Sequence, residues 1–159
     1  MELKPHEKTL ELLQLQVLDS RISSNHTMKE GVQTDLKVKL AEVKGEEALK
    51  YPLGFLEEGK YFILHNLRIP DNNGYFQIDT LVLSERYLLI LEAKNWYGTL
   101  LFNRNGQVTR IDDDAKEEGF QNPIVQAKMQ RYRLQRWLNN KGLAIYRLNI
   151  LLSLVSPLQ

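Results

Sequence analysis

The chain has 159 residues, enough for one well-packed domain and too few for two ordinary ones. Apolar residues make up 43% and charged residues 26%, which excludes a disordered or collagen-like chain. With no cysteine, disulfides, thiolate zinc centres and a cysteine nucleophile are excluded, and a net charge of +1 argues against a purely electrostatic nucleic-acid binder.

Met1-Glu2-Leu3-Lys4-Pro5 lacks the apolar core of a signal peptide, and no run reaches the roughly 20 apolar residues of a membrane span. A cytoplasmic protein with no membrane partner is the expectation. The first sixty residues read as helical. Leu10, Leu13, Val17, Leu18 and Ile22 recur at helical spacing, and Ser23-Ser24-Asn25 breaks the pattern. Thr27 and Glu30 have the spacing of a capping box for a second helix, whose apolar positions are Met28, Val32, Leu36, Leu40 and Val43. That helix is expected to run past Gly45 to about Lys50, where Pro52 stops or kinks it.

The character changes at Tyr61. Tyr61 to Ile69 is rich in aromatic and β-branched residues, and Pro70-Asp71-Asn72-Asn73-Gly74 is a turn signal. Tyr75 to Ser84 and Tyr87 to Asn95 read as consecutive strands joined by Glu85-Arg86. Gly98 to Phe102 and Gln107 to Ile111 read as a hairpin around Asn105-Gly106. Asp112, Asp113, Asp114, Glu117 and Glu118 form an acidic cluster. Asn122 caps a helix with Pro123 at its first position, running to about Asn140, and Tyr146 to Val155 reads as a final strand. This order predicts an α/β/α sandwich around a mixed sheet.

Acidic and basic side chains occupy the middle of the two consecutive strands. A two-residue loop at Glu85-Arg86 sets Ser84 opposite Tyr87, so Leu81 faces Ile90, Asp79 faces Glu92 and Gln77 faces Lys94. With period-two alternation all four polar side chains point one way, and opposed Cβ atoms stand about 4.5–5.5 Å apart. Two carboxylates at that distance are relieved by sharing a proton or by holding a cation. Magnesium suits such a pair, with a lysine beside it to stabilise phosphate charge and position water. The bland alternative is a cross-strand ion cluster in which Lys94 neutralises Glu92, although one lysine does not neutralise two carboxylates. A register shift of one residue would send Asp79 to the other face.

These residues resemble the nuclease-related domain (NERD) family of the PD-(D/E)xK, restriction-endonuclease-like superfamily. The match runs from Lys44-Gly45-Glu46 through Gly74, Gln77-Ile78-Asp79 and Leu81-Val82-Leu83-Ser84. It continues with Leu91-Glu92-Ala93-Lys94-Asn95-Trp96, Gly98, Asn122-Pro123 and Gln126, spanning about Lys44 to Leu138. The resemblance implies a three-layer α/β/α restriction-endonuclease-like core with a mixed, largely antiparallel central sheet at 43–159. An N-terminal helical hairpin over 1–42 precedes it, outside the match, and could serve dimerisation or docking. The end at Ser156-Pro157-Leu158-Gln159 looks like a truncated or minimal form.

The function the resemblance implies is a metal-dependent nuclease that cuts DNA phosphodiester bonds with a metal-activated water in DNA processing, leaving 5′-phosphate and 3′-hydroxyl ends. Asp79 and Glu92 would be metal-binding acids, Glu46 an outlying acid on metal or its water, and Lys94 the catalytic lysine. Gln126 would orient the site or the nucleic-acid backbone, and the cofactor would be Mg²⁺ or Mn²⁺. Gln77, Trp96, Lys128, Arg131 and Arg136 are candidate contacts to DNA, duplex or single-stranded. Of these, Trp96 reads more readily as packing, with Tyr97 beside it, and the cations as backbone contacts without base specificity. Asp71 spells the literal "PD" but reads as a turn residue. His6, His26 and His65 show no ligand spacing. The competing reading is a non-catalytic nucleic-acid or protein-interaction module on the same fold.

Overall fold

A computed structural model describes residues 1–96, 98–112, 114–143 and 147–155, with the side chains of 154 and 155 excepted. Tyr97, Asp113, Tyr146 and the terminal segment 156–159 therefore lie outside the described residues. The protein is mixed α/β. Its main sheet has the order β1 (Glu2–Lys4), β2 (Tyr61–Asp71), β3 (Gly74–Ser84), β4 (Leu88–Asn95), β8 (Leu148–Val155). The central β2–β3–β4 pairings are antiparallel, and the outer pairings of β1 with β2 and β8 with β4 are parallel. A second, small sheet joins β5 (Thr99–Phe102), β6 (Val108–Ile111) and β7 (Glu117–Phe120), all antiparallel.

Helix α1 (Leu10–Arg21) is capped by Thr9, whose side chain accepts from the Leu12 amide. It lies against α2 (Lys29–Glu47), tied by Lys29 to Asp19 at 2.9 Å and by Lys39 to Glu11 at 2.8 Å. The capping box expected at Thr27 and Glu30 is not formed. The helix starts one residue later, with Met28 at the cap position and no side-chain cap. The ring of His26 accepts from the Met28 amide instead, at 3.1 Å, and the His26 carbonyl accepts from Lys29, closing the link before Thr27 can serve. Helix α2 ends at Glu47, not at Lys50. Pro52 falls within the separate short helix α3 (Lys50–Leu53), in a first turn where a missing N–H is tolerated. Residue 42, the expected division of the chain, lies inside the continuous α2.

Two short strands have no counterpart in the sequence reading. β1 sits at the edge beside β2, in a stretch read as helical, and β7 completes the small sheet from within the acidic cluster, where Glu118 pairs with Arg110. Strands of three and four residues are too brief to display a period.

Two apolar clusters hold the sheet. Leu134 and Leu138 of α4 (Pro123–Asn140) pack with Phe76, Ile78, Leu81, Ile90 and Leu148. Leu49, with Leu53 and Leu56 behind it, packs with Ile63, Val82, Leu91 and Ala93. Ile90 and Leu91 are neighbours on β4 and so serve opposite faces. Truncating a fully buried side chain such as Ile90 or Leu134 to alanine would cost about 2–5 kcal/mol.

Three local features place the site. The β3–β4 ladder runs from Leu83–Leu88 to Thr80–Leu91 and stops, while β4 continues to Asn95 paired with β8. The sheet therefore forks just beyond Thr80. The β2–β3 ladder omits the pair Asn66–Asp79, and Asn66 stands in the left-handed region at φ 50. Asparagine tolerates that conformation better than most residues. The ribbon also changes sides there. Ile63 and Val82 pack with Leu91, whereas Leu67 and Ile78, on the same side by strict alternation, pack with the Ile90 cluster. Finally, Gly45 brings α2 against β4: a Cβ at that position would lie 3.0 Å from Asn95 Cβ and 3.2 Å from its amide nitrogen. Asn95 Nδ2 donates to the Ala41 carbonyl at 3.1 Å across the same contact.

Candidate active site

The register derived from the Glu85-Arg86 loop is the register observed, with Leu81 opposite Ile90. Asp79 and Glu92 are the next positions along, just past the last ladder pair, at the mouth of the fork. Gln77 does not face Lys94, because the strands have parted before that point. Gln77 is exposed and its Nε2 lies 3.4 Å from Asp79 Oδ1, a contact within β3.

Glu92 is fully buried at 0% exposure. A carboxylate so placed needs partners, since desolvating it alone is costly. Its Oε2 accepts from Gln130 Nε2 of α4 at 3.0 Å, and its Oε1 lies 2.7 Å from Lys94 Nζ in an ionic contact without hydrogen-bond alignment. Lys94 is two residues along the same strand and partly exposed, so its ammonium reaches both Glu92 and solvent.

Asp79 is half-buried, and its carboxyl is pushed up to about 7. Burial is the largest cause, followed by the charges of Glu92 and Glu46, with Lys94 offsetting part of the effect. Glu46 projects from the last turn of α2. Its Oε2 meets His6 Nε2 and accepts from Asn66 Nδ2 at 3.3 Å. Carboxylates from three elements thus lie close enough for Asp79 to feel the charges of Glu92 and Glu46, with Lys94 paired to Glu92.

The other expected residues fall as follows. Gln126 is half-buried on α4, one turn before Gln130. The amide that reaches the carboxylates is that of Gln130, which the sequence reading missed. The signal was present, because Gln130 lies on the Ala127, Leu134, Leu138 stripe that α4 turns towards the sheet. Trp96 is half-buried and packs on Phe120 of β7, ring centroids 5.1 Å apart. Lys128, Arg131 and Arg136 are exposed on α4. Asp71 is the turn residue expected: its Oδ1 accepts from the Asn73 amide, and Arg133 binds both carboxylate oxygens at 2.7 Å. His6 and His65 are drawn to the site as well, from a part of the chain that showed no ligand pattern.

Among the described residues, no group of three or more His, Cys, Asp or Glu side chains is gathered tightly enough to form a ready-made metal cage. The donors nevertheless suit a hard divalent cation, which commonly takes one or two carboxylates and fills its other positions with water. Glu92 Oε1, Asn66 Oδ1, Asn95 Oδ1 and Gln130 Oε1 are all buried oxygens with no hydrogen-bond partner among the described residues. Of these, Asn66 Oδ1 and Gln130 Oε1 belong to side chains that touch Glu46 and Glu92, and a cation's water shell would satisfy them.

A family model described as nuclease-related domain matches residues 41–152, more than half of the chain. An uncharacterized protein of Bacillus anthracis is 30% identical over 83 residues, covering 52% of this chain and 39% of that protein. The chain thus spans well under two thirds of that relative's length. No solved structure matches the chain significantly.

Proposed function

Because the chain belongs to the nuclease-related domain family, we propose that it is a metal-dependent phosphodiester hydrolase acting on DNA. The observation that carries this reading is geometric: Asp79 and Glu92 stand side by side at the mouth of the fork, Glu92 fully buried and 2.7 Å from Lys94. On this reading the fold is the three-layer α/β/α nuclease core, with α2–α3 and α4 on the two faces of the sheet.

Asp79 and Glu92 would hold Mg²⁺ or Mn²⁺, with Glu46 reaching the metal or a bound water. The cation would supply Lewis-acid activation of water and of the phosphoryl oxygen. Gln130 fixes the orientation of Glu92, so that its other oxygen stays turned to Lys94. Lys94 is placed to stabilise charge that develops on the phosphate oxygens, where a partly dry setting strengthens each interaction. Exposed Lys128, Arg131 and Arg136 would take the nucleic-acid backbone, which fixes position without reading sequence.

The test is incubation with plasmid and with single-stranded DNA in Mg²⁺, Mn²⁺ or chelator. Cutting should require the cation and disappear in Asp79→Ala, Glu92→Ala and Lys94→Ala. Cutting that persists in those variants refutes the assignment. A second reading, a non-catalytic nucleic-acid or protein-interaction module, draws support from the Lys94–Glu92 ion pair, which satisfies part of the site without a cation. It predicts salt-sensitive DNA binding in chelator and no cleavage. The exposed apolar residues Leu10, Leu13, Val17 and Leu18 of α1 are where such a module, or a second copy of the chain, would dock.

A further inference from the structure

Three side chains from the first six residues converge on the segments that carry the acids. Glu2 Oε1 lies 3.9 Å from His65 Nε2. Lys4 Nζ donates to the backbone carbonyls of His65, at 2.7 Å, and Asn66, at 3.0 Å. His6 Nε2 meets Glu46 Oε2, and its ring stands edge-on to that of His65 with centroids 5.8 Å apart. His65 in turn joins its Nδ1 to Thr80 Oγ1 at 2.9 Å, next to Asp79 in β3. This segment precedes residue 41 and so lies outside the family match.

The placement answers two local weaknesses. Glu46 is in the last turn of α2, where a helix frays and where nothing in the helix itself fixes a side chain. His6 from one side and Asn66 from the other hold a single oxygen, Oε2, which leaves Oε1 for a ligand. The second weakness is the left-handed backbone at Asn66, opposite Asp79, where the ladder is interrupted. A left-handed residue in the middle of a strand persists only when its surroundings hold it. Lys4 binds the carbonyls of the two peptide links that flank Asn66.

We propose that the segment Met1–His6 is a built-in part of the site. His6 is a positioning residue that fixes Glu46 beside a divalent cation held by Asp79 and Glu92, where it reaches the cation or its bound water, and Lys4 holds the irregular β2 backbone that releases Asp79 from the ladder. The proposal rests on the metal-dependent reading above.

The experiment is calorimetric titration of the full chain with Mn²⁺, comparing wild type with His6→Ala, His6→Gln and Asp79→Ala. Loss of a partner that orients a ligand commonly weakens metal binding about 10- to 100-fold. His6→Ala should fall in that range, and His6→Gln, which keeps an N–H donor, should recover most of the loss. Wild-type affinity in His6→Ala overturns the proposal. If neither wild type nor Asp79→Ala binds Mn²⁺, the metal-dependent reading fails, and the positioning role is decided by amide exchange in metal-free protein. Faster exchange around Glu46 and Asn66 in His6→Ala, restored by His6→Gln, supports the role; unchanged exchange overturns it.

Discussion

Gln130 Nε2 donates to Glu92 Oε2 at 3.0 Å, so a side chain from α4 and the ammonium of Lys94 hold opposite ends of one fully buried carboxylate. Removing one partner of such a group leaves a desolvated oxygen unpaired, at a cost of about 1–3 kcal/mol. Gln130→Ala should therefore lower the unfolding free energy obtained from urea denaturation by an amount in that range and weaken DNA cleavage. Gln126→Ala, one turn earlier and half-buried, should lower it much less. Denaturation curves of the two variants side by side decide whether Gln130 is the amide that orients the site.

Asp79 should contribute to the pH dependence of the metal-free fold. Its carboxyl is raised from 3.8 to about 7, so the fold prefers the protonated form. The associated stability is fully present below the unfolded value and is lost as pH rises through the folded one. Asp79→Asn mimics the protonated acid and should leave stability little changed near pH 4. Near pH 8 it should raise stability by an amount on the order of 2 kcal/mol, allowing for partial solvent access. Cleavage should be absent at both. Melting temperatures of wild type and variant across this range, in chelator, provide the measurement.

On the metal-dependent reading, the same elevation would make cation binding a proton-releasing event. At pH 6 Asp79 is largely protonated, and a cation beside it would expel that proton. Titration with Mn²⁺ in buffers of different ionisation enthalpy should report nearly one proton released per site at pH 6. The number should fall well below one at pH 8.

Asp71 separates structure from chemistry. Arg133 grips both of its oxygens and holds the carboxyl below the ordinary aspartate range, while the Arg133 guanidinium also covers the Phe76 ring at 5.0 Å. Asp71→Asn should lower the melting temperature at neutral pH, with the difference shrinking as acid protonates wild-type Asp71 below about pH 4. Mn²⁺ affinity and DNA cleavage should stay at wild-type levels.

Features set by neighbouring residues were legible in the sequence. The brief Glu85-Arg86 link determined the β3–β4 register, Asn105-Gly106 marked the β5–β6 hairpin, and Asn122-Pro123 marked the start of α4. Features set by distant contacts were not. Nothing local tells a three-residue strand at Glu2–Lys4 to pair with Ile63 and Leu64, so His6 gave no hint that it would meet Glu46. The fork escaped for a related reason. Extending a hairpin register assumes that the strands stay paired, whereas the crowding of Asp79 against Glu92 and the irregular backbone at Asn66 coincide with the point where they part. Gln130 escaped because its place on the helix face turned to the sheet depends on a phase that the packing of Leu134 and Leu138 settles.

Lys44-Gly45-Glu46 reads as a short motif, yet its last two letters act through different physics. With a Cβ meeting Asn95 at 3.0 Å, even Gly45→Ala would wedge the end of α2 away from β4. Cleavage should suffer in Gly45→Ala although every acid and the lysine are intact, and Asn95→Gly should restore part of it by clearing the obstructing Cβ. Glu46→Gln should lose activity with no such rescue. The glycine acts as a ruler and the glutamate as a charge, so a search for related sites that matched only the charged letters would admit chains in which the acid stands too far from the fork to take part.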